Sequence, residues 1–113
     1  MATAYSVLGQ VAPSATTETQ LYLVPASTSA VVSSIVVANQ AATAATYRIA
    51  VVKSGGATSP AAALSWIVYG ATVAANDSTI LTIGVTLATG DQIRVFASSS
   101  TLSFNAFGSQ ISQ

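Results

Sequence analysis

From residue 30 to residue 39 the chain reads AVVSSIVVAN, two apolar runs split by a pair of serines. Short apolar runs of this kind recur along the whole sequence, each closed by a cluster of Ser, Thr, Gly, Asn or Pro. Within most of them apolar residues alternate, which places them on one face of a pleated strand. No apolar stripe at i, i+3, i+4 and i+7 persists for three helical turns, so amphipathic helices are excluded as the framework. Regular short runs with turn signals between them predict an all-β chain: an antiparallel β-sandwich of about eight strands, in jelly-roll or Ig-like order.

The runs predict strands over 4–11, 21–24, 30–39, 46–53, 64–69, 79–83, 92–97 and 102–111. Pro25 closes the second, because proline has no N–H to give a ladder. Tyr47, Ile49 and Val51 share one face of the fourth. Leu64, Trp66 and Val68 alternate in the fifth, which points Trp66 into the core. Ile93 and Val95 face one way in the seventh, Arg94 and Phe96 the other. The third strand is apolar on both faces and is expected to be central or covered by a neighbour. Only 59–64, with three consecutive alanines, tolerates a helical turn. We expect one sandwich domain over 1–113, with 1–20 as an N-terminal arm or an edge strand.

Charge narrows the function. Only Glu18, Asp77, Asp91, Arg48, Lys53 and Arg94 are charged, 5% of the chain, against roughly 25% in an ordinary domain. Most free monomers keep surface charge of both signs. A chain without it loses little hydration when its faces are buried against neighbours, so we expect a component of an assembly. Net charge is zero and no basic run exists, which argues against nucleic acid as a partner. No apolar run reaches the roughly 18–20 residues needed to cross a bilayer. The opening MATAYSVLGQ lacks the charged start and apolar centre of a signal peptide, so no membrane partner is expected.

Cysteine and histidine are absent. Disulfides, thiolate clusters and triads built on His are therefore impossible within this chain, and we expect no enzyme, no cofactor and no metal. Asp77 and Asp91 precede strands, where aspartate caps turns. Glu18 sits in a polar linker, solvated or paired. Gly55-Gly56 lacks the rest of a phosphate loop and reads as a turn. Asn76-Asp77-Ser78 is a formal sequon. Aromatics and arginine are enriched at interfaces, so Arg94, Phe96, Tyr69 and Tyr5 are the residues expected at a contact surface; for Phe96 an exposed pair with Arg94 and core burial on a second face are the two competing readings.

The stretches LYLVPA, followed by a Val-rich strand ending in Asn39, then TYRIAV, AAND and LSFNAFG, resemble in their order small virion structural proteins of tailed bacteriophages, including phages of cyanobacteria. The resemblance covers nearly the whole chain, and departs from a polar or aspartate-bearing segment at SWIVYG. It implies a β-sandwich packed on the particle, with no catalytic motif to carry over. The expectation is a virion protein assembled in the host cytoplasm. It would be a capsid decoration or cement protein that binds the major capsid protein or other virion proteins as a homo-oligomer, with a trimer favoured. A tail, neck or baseplate component is the second reading. A host-surface carbohydrate-binding module, which requires an exposed aromatic platform, is the third.

Overall fold

Each apolar run becomes a strand and each punctuating cluster a connection. A computed structural model of the protein describes residues 3–58 and 60–112. Its strands are β1 (Thr3–Val11), β2 (Thr19–Leu23), β3 (Thr28–Asn39), β4 (Ala45–Val52), β5 (Trp66–Val73), β6 (Ser78–Leu87), β7 (Gln92–Ala97) and β8 (Leu102–Ser112). A single 3-10 turn, Ala63–Ser65, precedes β5, close to where a helical turn was tolerated; Ser59 lies outside the described residues. β6 runs past its expected end because Val85 and Leu87 keep the alternation beyond Gly84 and pair with Val32 and Ala30.

The strands form two antiparallel four-stranded sheets, β1-β8-β3-β6 and β2-β7-β4-β5. β4 pairs with β5, β3 with β6, β2 with β7 and β1 with β8. The chain is thus one long antiparallel ribbon, doubled back at the β4–β5 loop and rolled. The β3–β8 and β4–β7 pairings stitch the roll into two sheets. This is the jelly-roll order, the first of the two expected alternatives. β1 pairs with β8 from Thr3↔Ile111 to Val11↔Phe104, so this segment is an edge strand of the sandwich and not a detached arm.

The core lies between the sheets. Val32, Ile35 and Val37 of β3 and Phe104 of β8 meet Tyr47 and Ile49 of β4 and Ile93 and Val95 of β7, all buried. The Tyr47 and Phe104 rings pack edge to face with centroids 6.1 Å apart, a favoured aromatic geometry. β3 is an inner strand, flanked by β8 and β6; its inward residues are buried, whereas Val31 and Val36 on its outer face are half-buried. Its inner residues Val32 and Ile35 are an odd number apart, and the register shift at Ser33 reconciles them. A Cβ on Gly108, beside that shift, would run into the backbone carbonyl of Val31 and lie 3.0 Å from Val32 Cα, so no larger residue fits there.

One end of the sandwich is closed by Asn39, a buried polar side chain. Its amide donates to the carbonyl oxygens of Thr43 (2.8 Å) and, more weakly, Val73 and Ala74. Its Oδ1 accepts from the Ala41 N–H (3.0 Å) and the Thr101 hydroxyl (3.1 Å). Three connections meet on one residue, and each buried polar atom of it is satisfied, as burial demands.

Two outcomes follow. Asn39→Ala leaves those partners unmatched and lowers unfolding free energy by about 1–3 kcal/mol, read from urea denaturation. Burial pushes the Tyr47 hydroxyl above its ordinary pKa of 10.0, because the phenolate loses hydration. The unfolded chain releases that proton first, so the stability it contributes is whole below pH 10.0 and is lost as pH rises through the raised value. Denaturation midpoints measured across this range fall less steeply in Tyr47→Phe.

Candidate functional site

The outer face of β2-β7-β4-β5 carries the densest set of polar and aromatic side chains. Pairing places Phe96 of β7 opposite Arg48 of β4, and Arg48 opposite Tyr69 of β5. The row is a sandwich: the Arg48 guanidinium lies 4.2 Å from the Tyr69 ring centroid and 4.4 Å from that of Phe96, within cation–π range on both sides. In the next row Arg94 faces Ala50, and Ala50 faces Trp66. The small Ala50 leaves room for the indole, whose ring packs edge to face on Tyr69 at 5.6 Å.

Two irregularities in β5 create this arrangement. Trp66 pairs with Ala50 and Val68 with Ile49, so Ile67 is an inserted residue. The insertion turns Trp66 to the outer face while Val68 stays against the core. The expected common face for Leu64, Trp66 and Val68 is therefore overturned: Leu64 sits exposed in the 3-10 turn, and Trp66 is half-buried outside the inter-sheet core. A strand bulge offsets the parity by one residue, which strict alternation cannot anticipate. Gly70 is the second insertion, between the pairs of Arg48 and Tyr47. Its φ of 85° lies where only glycine is at ease, and it returns Ala71 to the core side.

The wall of the site is the β4–β5 loop. Ala61 packs with Ala50, Val52 and Trp66 in a small second cluster on the outside of the sheet. Glu18 holds the loop down: one carboxylate oxygen accepts from the Ala61 N–H at 2.8 Å, the other from Arg94 Nε. The Glu18 side chain is only 7% exposed and that of Arg94 13%. Arg94 also donates to the Gln92 side chain at 3.0 Å. Glu18 is thus a buried partner and not a solvated linker residue. At the far end of the loop, Asp91 accepts from the Ser54 and Ala88 N–H groups, both at 2.9 Å, and Asp77 accepts from Ser78 at 2.8 Å; both act as turn residues.

Two adjoining clefts open on this face. One, of about 330 Å³, is lined by Thr16, Thr17, Glu18, Arg48, Pro60, Trp66 and Phe96. The other, of about 500 Å³, is lined by Arg48, Pro60, Ala61, Ala63, Trp66 and Tyr69. Both fall in the size range of small-ligand sites.

Of the four expected contact residues, Arg94, Phe96 and Tyr69 come together here. Tyr5 does not; it stands 86% exposed on β1, in the other sheet. The expected Phe96–Arg94 pair is corrected to Phe96–Arg48, because Arg94 is bound to Glu18 and Gln92. Arg48 and Trp66 were missed as members of the site. Parity against Tyr47 and Ile49 does place Arg48 outward, but its partners lie on strands whose register one sequence does not reveal. Compared with models of protein families and with curated proteins, the chain matches none.

Glu18→Gln removes the charge that faces Arg94 while keeping an acceptor for the loop. It should cost about 1.5–3 kcal/mol, the range for a hydrogen bond to a charged group, and speed amide exchange at Ala61 first, as read by hydrogen–deuterium exchange.

Proposed function

We propose that the protein is a non-enzymatic structural protein of a phage particle, a decoration or cement protein that lies on the capsid shell as an oligomer, with trimers at local threefold positions. The observation that carries this reading is the outer face of β1-β8-β3-β6. No strand of that sheet contains a charged residue. All six charged side chains lie on the other sheet or in the connections.

The rows of this face run Tyr5, Ser109, Val31, Thr86; then Val7, Phe107, Ser34, Thr82; then Gln10, Asn105, Val36, Ile80. Tyr5, Val7 and Ile80 are exposed, and Val31, Val36 and Phe107 are half-buried. Gln10 donates to Asn105 at 2.7 Å, so even the amides are partly self-satisfied. Such a face is buried with little loss of hydration, at roughly 25 cal/mol per Å² of apolar area before association costs. Repetition over a shell then multiplies weak contacts through multivalency. The edges β1 and β6 are free of charge and proline, so two of the usual devices that block strand addition by a neighbour are missing, and only a single register shift interrupts each edge. Jelly rolls recur in viral capsid domains, a likeness of fold alone.

Quantitative mass spectrometry of purified particles tests this. A ratio to the major capsid protein near unity is expected, whereas a handful of copies would move the protein to the tail or neck. Absence from the particle would sink the reading altogether. Ile80→Lys, at an exposed position of β6, should leave the melting temperature within a degree or two of the parent and lower particle occupancy severalfold, because a charge must then be buried.

A further inference from the structure

We propose that the paired clefts on the β2-β7-β4-β5 face bind a saccharide bearing a carboxylate, with Arg48 as the group that takes the carboxylate. The proposal stands apart from the capsid reading: it concerns the opposite sheet and does not depend on where the protein resides.

The geometry around Arg48 selects the ligand. Tyr69 and Phe96 flank the guanidinium from the two neighbouring strands, its carbon 4.2 and 4.4 Å from their ring centroids, and its edge of N–H donors is what remains to be satisfied. Among the described residues that edge meets no hydrogen-bond acceptor, whereas Arg94 has Glu18 and Gln92. Glu18 divides its two oxygens between Arg94 and Ala61, which leaves Arg48 as the uncompensated cation of the clefts. A guanidinium is planar and presents its donors in one plane, the arrangement that matches a carboxylate with two parallel hydrogen bonds. Both clefts open onto Arg48, Pro60 and Trp66, so a ligand of more than one ring can lie across the boundary between them.

The remaining lining fits sugar better than peptide. Tyr69, 65% exposed, and the half-buried Trp66 offer apolar ring surface beside the cation. Thr16 and Thr17 bring hydroxyls to the opposite rim, each using its proton toward the Ala15 carbonyl and keeping lone pairs for a ligand hydroxyl. Thr16 is held at φ 53°, a costly conformation for a β-branched residue, with its N–H bonded to the Ala97 carbonyl at 2.8 Å. Backbone strain of this kind collects at ligand sites. An acidic peptide would satisfy Arg48 but leave two aromatic faces and a hydroxyl rim unused.

The test is titration calorimetry on the full chain with a panel of uronate- and sialate-containing oligosaccharides. Their methyl-esterified forms and polyglutamate serve as controls. Binding of an acidic oligosaccharide, abolished by esterification and not reproduced by polyglutamate, is expected. Arg48→Gln should weaken it by roughly tenfold or more, the loss for one charge-assisted fork, and Arg48→Lys should recover only part. Should Arg48→Gln fail to fold, Tyr69→Ala, at an exposed position, should still weaken binding. No binding across the panel overturns the proposal. So does equal binding of the methyl esters, equal binding of polyglutamate, or affinity unchanged in both variants.

Discussion

Everything in this molecule hangs on the ladder between β4 and β5 and its continuation outward. Those two strands flank the β4–β5 loop, and each further pair adds a strand on either side until β1 meets β8. No pairing after the first is local. The outermost pairing joins Thr3 to Ile111, so the entropy of closing a long loop is offset only by contacts far apart in the chain. With no disulfide possible, the inter-sheet core of β3, β4, β7 and β8 and the Asn39 knot hold the roll closed. Once rolled, the structure has two faces of opposite character, and the same pairing decides which residues meet on each.

The two faces divide the polar work. One sheet carries no charge and presents Val, Ile, Tyr, Ser and Thr in rows. The other gathers two arginines, one glutamate and three aromatics within two rows and a loop. A chain with so few charges has concentrated half of them where they are partly buried and paired or stacked. Partly buried ion pairs contribute modestly to stability, since desolvation offsets attraction. Their evident effect here is positional: Glu18 fastens the β4–β5 loop over Ala50 and Val52 and gives the clefts their wall.

Irregularities carry as much information as regularity. The shift at Ser33 lets Val32 and Ile35 both face the core. The insertion at Ile67 brings Trp66 and Tyr69 to a common outer surface, although they stand three positions apart. In an unbroken strand that spacing would send them to opposite faces. The aromatic cleft is therefore a product of bulges, which sheets commonly place near functional sites.

Alternation and punctuation in the sequence were enough to determine eight strands, most boundaries within a few residues, and the inward sets Tyr47, Ile49, Val51 and Ile93, Val95. They determined the scarcity of charge and the outward direction of Arg94 and Phe96. These properties are local, set by side-chain chemistry and by a period of two. Jelly-roll order over Ig-like order was decided only by the tertiary structure, because which strand meets which depends on pairings between residues far apart in the chain, Thr3 with Ile111 at the extreme. The same holds for the partners of Arg48 and the burial of Glu18. Trp66 shows the limit most plainly: one inserted residue, stable only because β4 lies beside it, turned a ring that alternation sends to the core toward the opposite face.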